Sequence, residues 1–308
     1  MPISPRHDLP YRAEPASDLP ALLGESPLWH PLRRRLFYVD IPGKTLHALA
    51  ADGEPARRWA LNDEPGCIAA CADGSLLIAQ RNGLWRLDPD TGVYLPLAPP
   101  PYDPTRQRFN DGKPDVAGRL WVGTIDDARA PEAALYRHGG EGFVRMADGI
   151  TSSNGIGWSP DGRQMYWSDT KAHAIYRLPF DGASGTLGER EVFARFPLRD
   201  PAAPLEAYGG RPDGAAVDRD GNYWVAMFEG QRLLQLSPQG QVLREVRLPV
   251  RCPTMPCFGG EDLLTLYVTT ARQGRPADEL AAQPWAGQVL RLRVEVPGLP
   301  AHLARLPD

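Results

Sequence analysis

Short apolar runs, each entered through a polar turn, recur along the chain. Leu36-Phe37-Tyr38-Val39, Leu76-Leu77-Ile78, Leu120-Trp121-Val122, Met165-Tyr166-Trp167, Tyr223-Trp224-Val225 and Leu266-Tyr267-Val268 are rich in the aromatic and branched residues that suit a pleated, buried strand. The turns before them include Ala72-Asp73-Gly74-Ser75, Pro160-Asp161-Gly162-Arg163 and Arg219-Asp220-Gly221-Asn222, and Asp-Gly is a strong hairpin signal because it accepts positive φ. A second apolar run follows each of the six, at 46–49, 84–87, 135–137, 175–178, 233–236 and 289–292. Anchored at Tyr38, Leu77, Trp121, Tyr166, Trp224 and Tyr267, the unit repeats at intervals of 39, 44, 45, 58 and 43 residues. A repeat of that length with room for at least three strands matches a propeller blade. The pattern therefore predicts an all-β fold: a six-bladed β-propeller of four-stranded antiparallel blades around a central channel.

Helical periodicity is nearly absent, apart from one or two turns expected within 276–286, which argues against βαβ units. The long fourth interval contains the proline-rich segment 196–212, read as a loop inserted over one face. Residues 1–20 are expected to form an N-terminal extension, part of it adding an outer strand to the last blade, and 21–308 to form a single propeller domain. The 31 glycines and 33 prolines of the 308-residue chain supply the turns such a fold requires.

Charge narrows the partners. With a formal net charge of −4 and no long basic run, the chain lacks the stripe that phosphate binding needs, so no nucleic-acid partner is expected. No stretch reaches the roughly 18 apolar residues of a membrane span, and residues 1–20 have no apolar leader, so no membrane partner and a cytoplasmic location are expected. Cys67, Cys71, Cys252 and Cys257 are too few and wrongly spaced for a disulfide framework or a paired-cysteine zinc site, and read as reduced structural thiols.

Equivalent positions in radial repeats lie at one depth around the channel, so unusual residues at a shared offset point to a site. Glu25 lies 13 positions before Tyr38, Asn110 lies 11 before Trp121, Asn154 lies 12 before Tyr166, and Asp213 lies 11 before Trp224. Each adjoins turn-forming residues, yet four carboxylates or carboxamides at nearly one offset predict convergence at the channel mouth on a hard divalent cation. Calcium fits such oxygen ligands; zinc, manganese and ferrous iron are also accommodated. No histidine falls at the offset, which disfavours a closed zinc centre, and His30 reads as a surface or turn residue. The signatures of serine hydrolases, P-loops and dinucleotide folds are missing.

At these residues the sequence resembles the senescence-marker-protein/gluconolactonase/regucalcin family of six-bladed propellers. The likeness is carried by Gly24-Glu25-Ser26-Pro27-Leu28-Trp29, Arg108-Phe109-Asn110-Asp111-Gly112-Lys113, Gly123-Thr124, Ser153-Asn154-Gly155, Pro212-Asp213-Gly214 and Cys257-Phe258-Gly259-Gly260, and runs from about residue 22 to 292. The resemblance implies one divalent metal held by Glu25, Asn154 and Asp213, substrate contacts from Arg108 and Asn110, and hydrolysis of sugar (aldono-) lactones. Some members also contact substrate through a glutamate after the Gly-Thr pair; here Gly123-Thr124 is followed by Ile125-Asp126-Asp127, and that role is not carried over. A cation at the site supplies Lewis-acid polarisation of the lactone carbonyl, and the base is either Asp213, acting on the attacking water, or a metal-bound hydroxide. The alternatives are a non-catalytic calcium-binding regulatory propeller and a promiscuous lactonase or phosphotriesterase on the same scaffold. A monomer or weak oligomer is expected.

Overall fold

The computed structural model describes residues 11–50 and 55–306. Residues 1–10, half of the expected N-terminal extension, lie outside the described residues. The chain forms six antiparallel sheets of four strands each, one of them with a fifth short strand, arranged as a six-bladed β-propeller. The innermost strands are Gly24–His30, Pro65–Ala70, Gln107–Pro114, Ser153–Trp158, Arg211–Val217 and Pro253–Gly259. The apolar runs are the second strands, Arg35–Asp40, Leu76–Gln80, Leu120–Asp126, Gln164–Asp169, Tyr223–Phe228 and Thr265–Thr270. The last blade takes Glu14–Pro15 as its outer strand, with Glu14 opposite Arg291 and Pro15 opposite Leu290, so the two ends of the chain share one sheet and the ring closes.

The second strands are continuously apolar because each is buried on both faces, between its own blade's two neighbours. Successive side chains of a strand point to opposite faces. Leu120 and Val122 accordingly pack toward the second blade with Ala69 and Leu77, whereas Trp121 packs toward the fourth with Trp158, Met165 and Trp167. Tyr223 and Val225 face Tyr166 and Ile175, while Trp224 faces Phe258 and Leu266. Hydrophobic clusters of this kind fill every blade-to-blade interface, including the closing one, where Leu36 and Tyr38 meet Val289. The indoles are anchored as well as packed: Trp121 Nε1 donates to Asp115 Oδ2 at 2.8 Å and Trp224 Nε1 to Asp218 Oδ2 at 3.0 Å. Those aspartates also cap the turns ending in Gly118 and Gly221, whose φ values are 81° and 84°.

The segment expected to be weakly helical holds one short helix, Ala277–Ala282. The long insertion carries a single 3-10 turn, Leu205–Ala207. His30 departs from expectation. It ends an innermost strand at 0% exposure, packed against Phe37 with a ring separation of 6.0 Å, and neither ring nitrogen has a hydrogen-bond partner. An imidazole in apolar surroundings satisfies the alternation of the strand better than a turn position does.

Candidate functional site

Each innermost strand slips register against its neighbour at the same depth. The irregularities fall between Glu25 and Leu28, Pro65 and Cys67, Phe109 and Gly112, Asn154 and Gly157, Pro212 and Ala215, and Pro253 and Met255. A bulge re-aims side chains that a regular strand would send into the blade interfaces. All four residues singled out by offset sit at these bulges. The dipeptides Asn110-Asp111, Asn154-Gly155 and Asp213-Gly214, which read locally as turns, lie inside strands instead.

The entry to two of these strands is pinned from the second strand of the same blade. Asp40 accepts hydrogen bonds from the Leu22 and Leu23 amides at 2.9 and 3.1 Å, and Asp169 from the Thr151 and Ser152 amides at 3.0 and 3.2 Å. Neighbouring bulges are also tied across the blades. Ser26 Oγ accepts from the Ile68 amide at 2.9 Å, Thr254 Oγ1 donates to Gly24 O at 2.6 Å, and Tyr223 Oη donates to Gly155 O at 2.7 Å. Gly155 has a φ of 62°, and a Cβ there would fall 2.2 Å from Tyr223 Oη, so both its backbone conformation and its packing require glycine.

Within this frame the candidate side chains meet. Arg108 Nη1 donates to Asn110 Oδ1 at 2.7 Å, and Asn110 Nδ2 donates to Asn154 Oδ1 at 2.9 Å and to Ser153 O at 2.8 Å. Asn154 Nδ2 in turn donates to Thr170 Oγ1 at 2.7 Å, which fixes its carboxamide with the oxygen turned inward. Arg108 is therefore buried at the site, not engaged in a surface salt bridge, and it shares a face with Asn110 as strand alternation requires. Glu25 is partly buried and Asp213 is buried. The Asp213 carboxylate accepts no hydrogen bond from any described residue.

Electrostatics mark the two carboxylates as uncompensated. Burial, then the charges of Asp213 and Asp111, push the Glu25 carboxyl well above the usual carboxylate range. Burial likewise lifts Asp213 to about 8, with Asp111 adding to the rise and Arg211 and Arg108 opposing it. Asp111 and Lys113 carry no role in the sequence reading, yet both belong to this channel. Asp111 Oδ2 accepts from the Ile156 amide at 2.9 Å, and its Oδ1 has no partner. Lys113 Nζ reaches Ile156 O at 2.8 Å and Ala215 O at 2.5 Å, bridging to the inner strands of the fourth and fifth blades. Burial lowers the Lys113 pKa and the Asp111 charge opposes that shift. The signal that could have found them was their place immediately after Asn110, inside the same bulged strand.

Among the described residues no group of three or more His, Cys, Asp or Glu side chains is arranged to hold a metal. An ion at this site would instead rest on mixed carboxylate and carboxamide oxygens. The donor set fits that role: two carboxylates lacking their own counter-charge, one of them with no hydrogen bond, and a carboxamide oxygen with a lone pair to spare. The cysteines are free, and burial raises the thiols of Cys252 and Cys257 to about 12 and about 11, so neither is a ready nucleophile. A separate cavity of ≈ 900 Å³ opens on the other side of the bulges, lined by Ser26, Lys113, Trp158, Cys257 and His302 among others. Among the described residues no helix is long and apolar enough to cross a membrane.

Residues 23–272 match the family model described as the SMP-30/Gluconolactonase/LRE-like region. A 6-deoxy-6-sulfogluconolactonase of Pseudomonas putida is 41% identical over 281 residues, covering 91% of this chain and 94% of the relative. Regucalcin of Oryctolagus cuniculus is 32% identical, covering 91% of this chain and 93% of its own length. Among solved structures, a calcium-binding protein, regucalcin, from Agrobacterium tumefaciens superposes with a TM-score of 0.89 at 29% identity, covering 96% of this chain and 98% of the other.

Proposed function

The chain belongs to the SMP-30/gluconolactonase/LRE-like family, and from that premise we propose that it hydrolyses sugar (aldono-) lactones to aldonic acids with the aid of one divalent cation. The observation that supports the reading is that Glu25, Asn154 and Asp213 occupy matching bulges on the innermost strands of three different blades, with the buried Arg108 hydrogen-bonded to Asn110 and Asn110 to Asn154. Glu25, Asn154 and Asp213 would hold the ion, calcium being favoured by an all-oxygen set. When bound, that ion supplies Lewis-acid polarisation of the lactone carbonyl and charge for the tetrahedral oxyanion.

The chain's own residues do the rest. Asp213 takes a proton from the attacking water at a carboxylate oxygen. Asn110 is held by Ser153 and Asn154, and Arg108 by Asn110, so both present fixed polar groups to ring hydroxyls. A cytoplasmic enzyme taking a small sugar lactone as its partner agrees with this reading.

The test is a pH-stat panel of aldonolactones on chelated protein, with single metals then restored. Base uptake that disappears on chelation and returns with one metal supports the proposal. Calcium binding without base uptake on any lactone would favour a non-catalytic calcium-binding propeller instead.

A further inference from the structure

The mouth of the channel holds a buried guanidinium that no carboxylate contacts directly. Arg108 is 9% exposed, and both protons of its Nη1 go to neutral acceptors, Phe109 O at 2.9 Å and Asn110 Oδ1 at 2.7 Å. Its Nε and Nη2 make no hydrogen bond, and no carboxylate lies within ion-pair distance of it among the described residues. A buried guanidinium with three free N–H groups and no counter-ion is an incomplete anion site.

A second arginine, Arg129, lies in the loop that leaves the neighbouring strand, and its charge acts on Arg108. Arg108 is paired with Ile125 in the sheet, and the loop that leaves this neighbouring strand turns back over it, the Asp127 amide donating to Arg106 O at 2.9 Å. Asp126 Oδ1 accepts from the Ala128 and Ala130 amides at 3.0 and 3.4 Å, and the Arg129 amide donates to Asp126 O at 2.9 Å. The loop is thereby fixed with Arg129 at a φ of 58°, a left-handed conformation that disfavours a side chain of this size. Arg129 is exposed, and its guanidinium makes no hydrogen bond or ion pair with a described residue.

The nearby carboxylates are already engaged. Glu64 and Asp127 both bind Arg81, at 2.8 and 3.0 Å, and Glu132 binds Arg106 at 3.0 Å, with Asp126 3.7 Å from the same guanidinium. Burial lowers the Arg108 pKa, Glu64 opposes that shift, and the like charges of Arg129 and Arg81 add to it, so both guanidiniums lie within electrostatic reach of Arg108. Glu25 and Asp213 also interact electrostatically with Arg108, but those are the two carboxylates assigned above to the cation.

We infer that Arg108 and Arg129 form an anion subsite, and that the lactone this protein turns over bears an acidic group away from its ring carbonyl. The inference rests on the lactonase reading above. Sulfonate, phosphate and carboxylate share the required chemistry: a compact anion with several acceptor oxygens for a forked donor.

The experiment compares D-glucono-1,5-lactone with analogues bearing sulfonate, phosphate or carboxylate at carbon 6, on the full chain with the metal restored. An acid-bearing lactone should exceed the neutral one in kcat/KM by about tenfold or more, as one charge-assisted contact allows. Its KM should climb with salt while that of the neutral lactone changes far less. Arg129→Ala should raise KM for the acid-bearing lactone about tenfold more than for the neutral one, and Arg129→Lys should recover part of the difference. The preferred anion among the three arms identifies the group. Equal kcat/KM for charged and neutral lactones, or an Arg129→Ala effect of the same size on both, overturns the proposal while leaving the lactonase reading intact. Calorimetric binding of the open-chain acids separates the two in the other direction. If no lactone is hydrolysed but a 6-sulfonated or 6-phosphorylated aldonate still binds more tightly than plain gluconate in an Arg129-dependent way, the subsite stands and the lactonase reading falls.

Discussion

Gly155→Ala probes the device that aims the site. The added Cβ would lie 2.2 Å from Tyr223 Oη, 2.4 Å from Ser168 Oγ and 3.2 Å from Asp213 O, where ordinary contacts begin at about 3.4 Å. It would also sit on a backbone at φ 62°. The left-handed conformation costs an alanine about 1–2 kcal/mol, and overpacking a closed site about 1–3 kcal/mol. Displacing the Tyr223 ring also breaks its 2.7 Å bond to Gly155 O, worth about 1 kcal/mol. The expected loss of stability is therefore about 3–6 kcal/mol. Gly162→Ala is the internal control, since Gly162 has a φ of 66° but nothing within 4 Å of where its Cβ would stand, and only the conformational cost of about 1–2 kcal/mol remains. Urea unfolding of both variants, followed by tryptophan fluorescence, measures the difference. Lactonase activity should fall in Gly155→Ala alone, because Asn154 and Asp213 flank the clash. Unfolding free energies that agree within about 0.5 kcal/mol would refute the claim that blade contact at the bulge, and not turn geometry, selects this glycine.

Four further outcomes follow from the same geometry. Asp213→Ala should abolish lactone hydrolysis while leaving the melting curve cooperative; full activity in this variant would remove Asp213 from the chemistry. Because Asp213 retains its proton up to about 8 where the unfolded chain releases it near 3.9, the metal-free fold should lose stability as pH rises from about 4 to 8. Calcium must displace that proton, so its affinity should increase across the same range, by up to about tenfold per pH unit, and calorimetry at pH 6, 7 and 8 showing a flat affinity would contradict the assignment. His30 behaves in the opposite sense. Burial lowers its pKa, the unfolded state takes up a proton below about 6.5 that the folded state refuses, and stability is lost as pH falls. His30→Leu should flatten that acid limb in denaturation curves between pH 7 and 5, and an unchanged slope would assign it to other groups.

The repeat was legible because a strand buried on both faces must be apolar throughout, which makes the second strand of every blade conspicuous. Outer strands such as Arg57–Ala60 face solvent and carry no comparable signal. The four site residues were found by offset, since circular symmetry turns equal spacing into equal depth. Their local structure was not readable: Asn-Gly and Asp-Gly serve turns and bulges alike, and only contact with the next blade distinguishes them, as at Gly155 against Tyr223 and Gly214 against Met255. Asp111 and Lys113 escaped for a related reason. A bulge presents side chains that regular alternation would separate, so a count based on one residue per blade passes over the second. His30 was misread because sequence alone gives polar character to an imidazole that the fold buries neutral.

The channel also shows how a rigid ring keeps charge in reserve. Asp111 has an ammonium partner within the channel in Lys113, which is itself held by two carbonyls of neighbouring blades. Glu25 and Asp213 have no such partner, and Arg108 faces neutral acceptors. Left to relax, groups of this kind would turn outward to water. They are kept in place because each hangs from a bulge wedged between adjacent blades, and the clusters joining those blades are deeply buried. What would complete each group differs: a cation for Glu25 and Asp213, an anion for Arg108. A substrate that brings its own acidic group beside a bound cation completes both halves at once, whereas a neutral lactone completes only one.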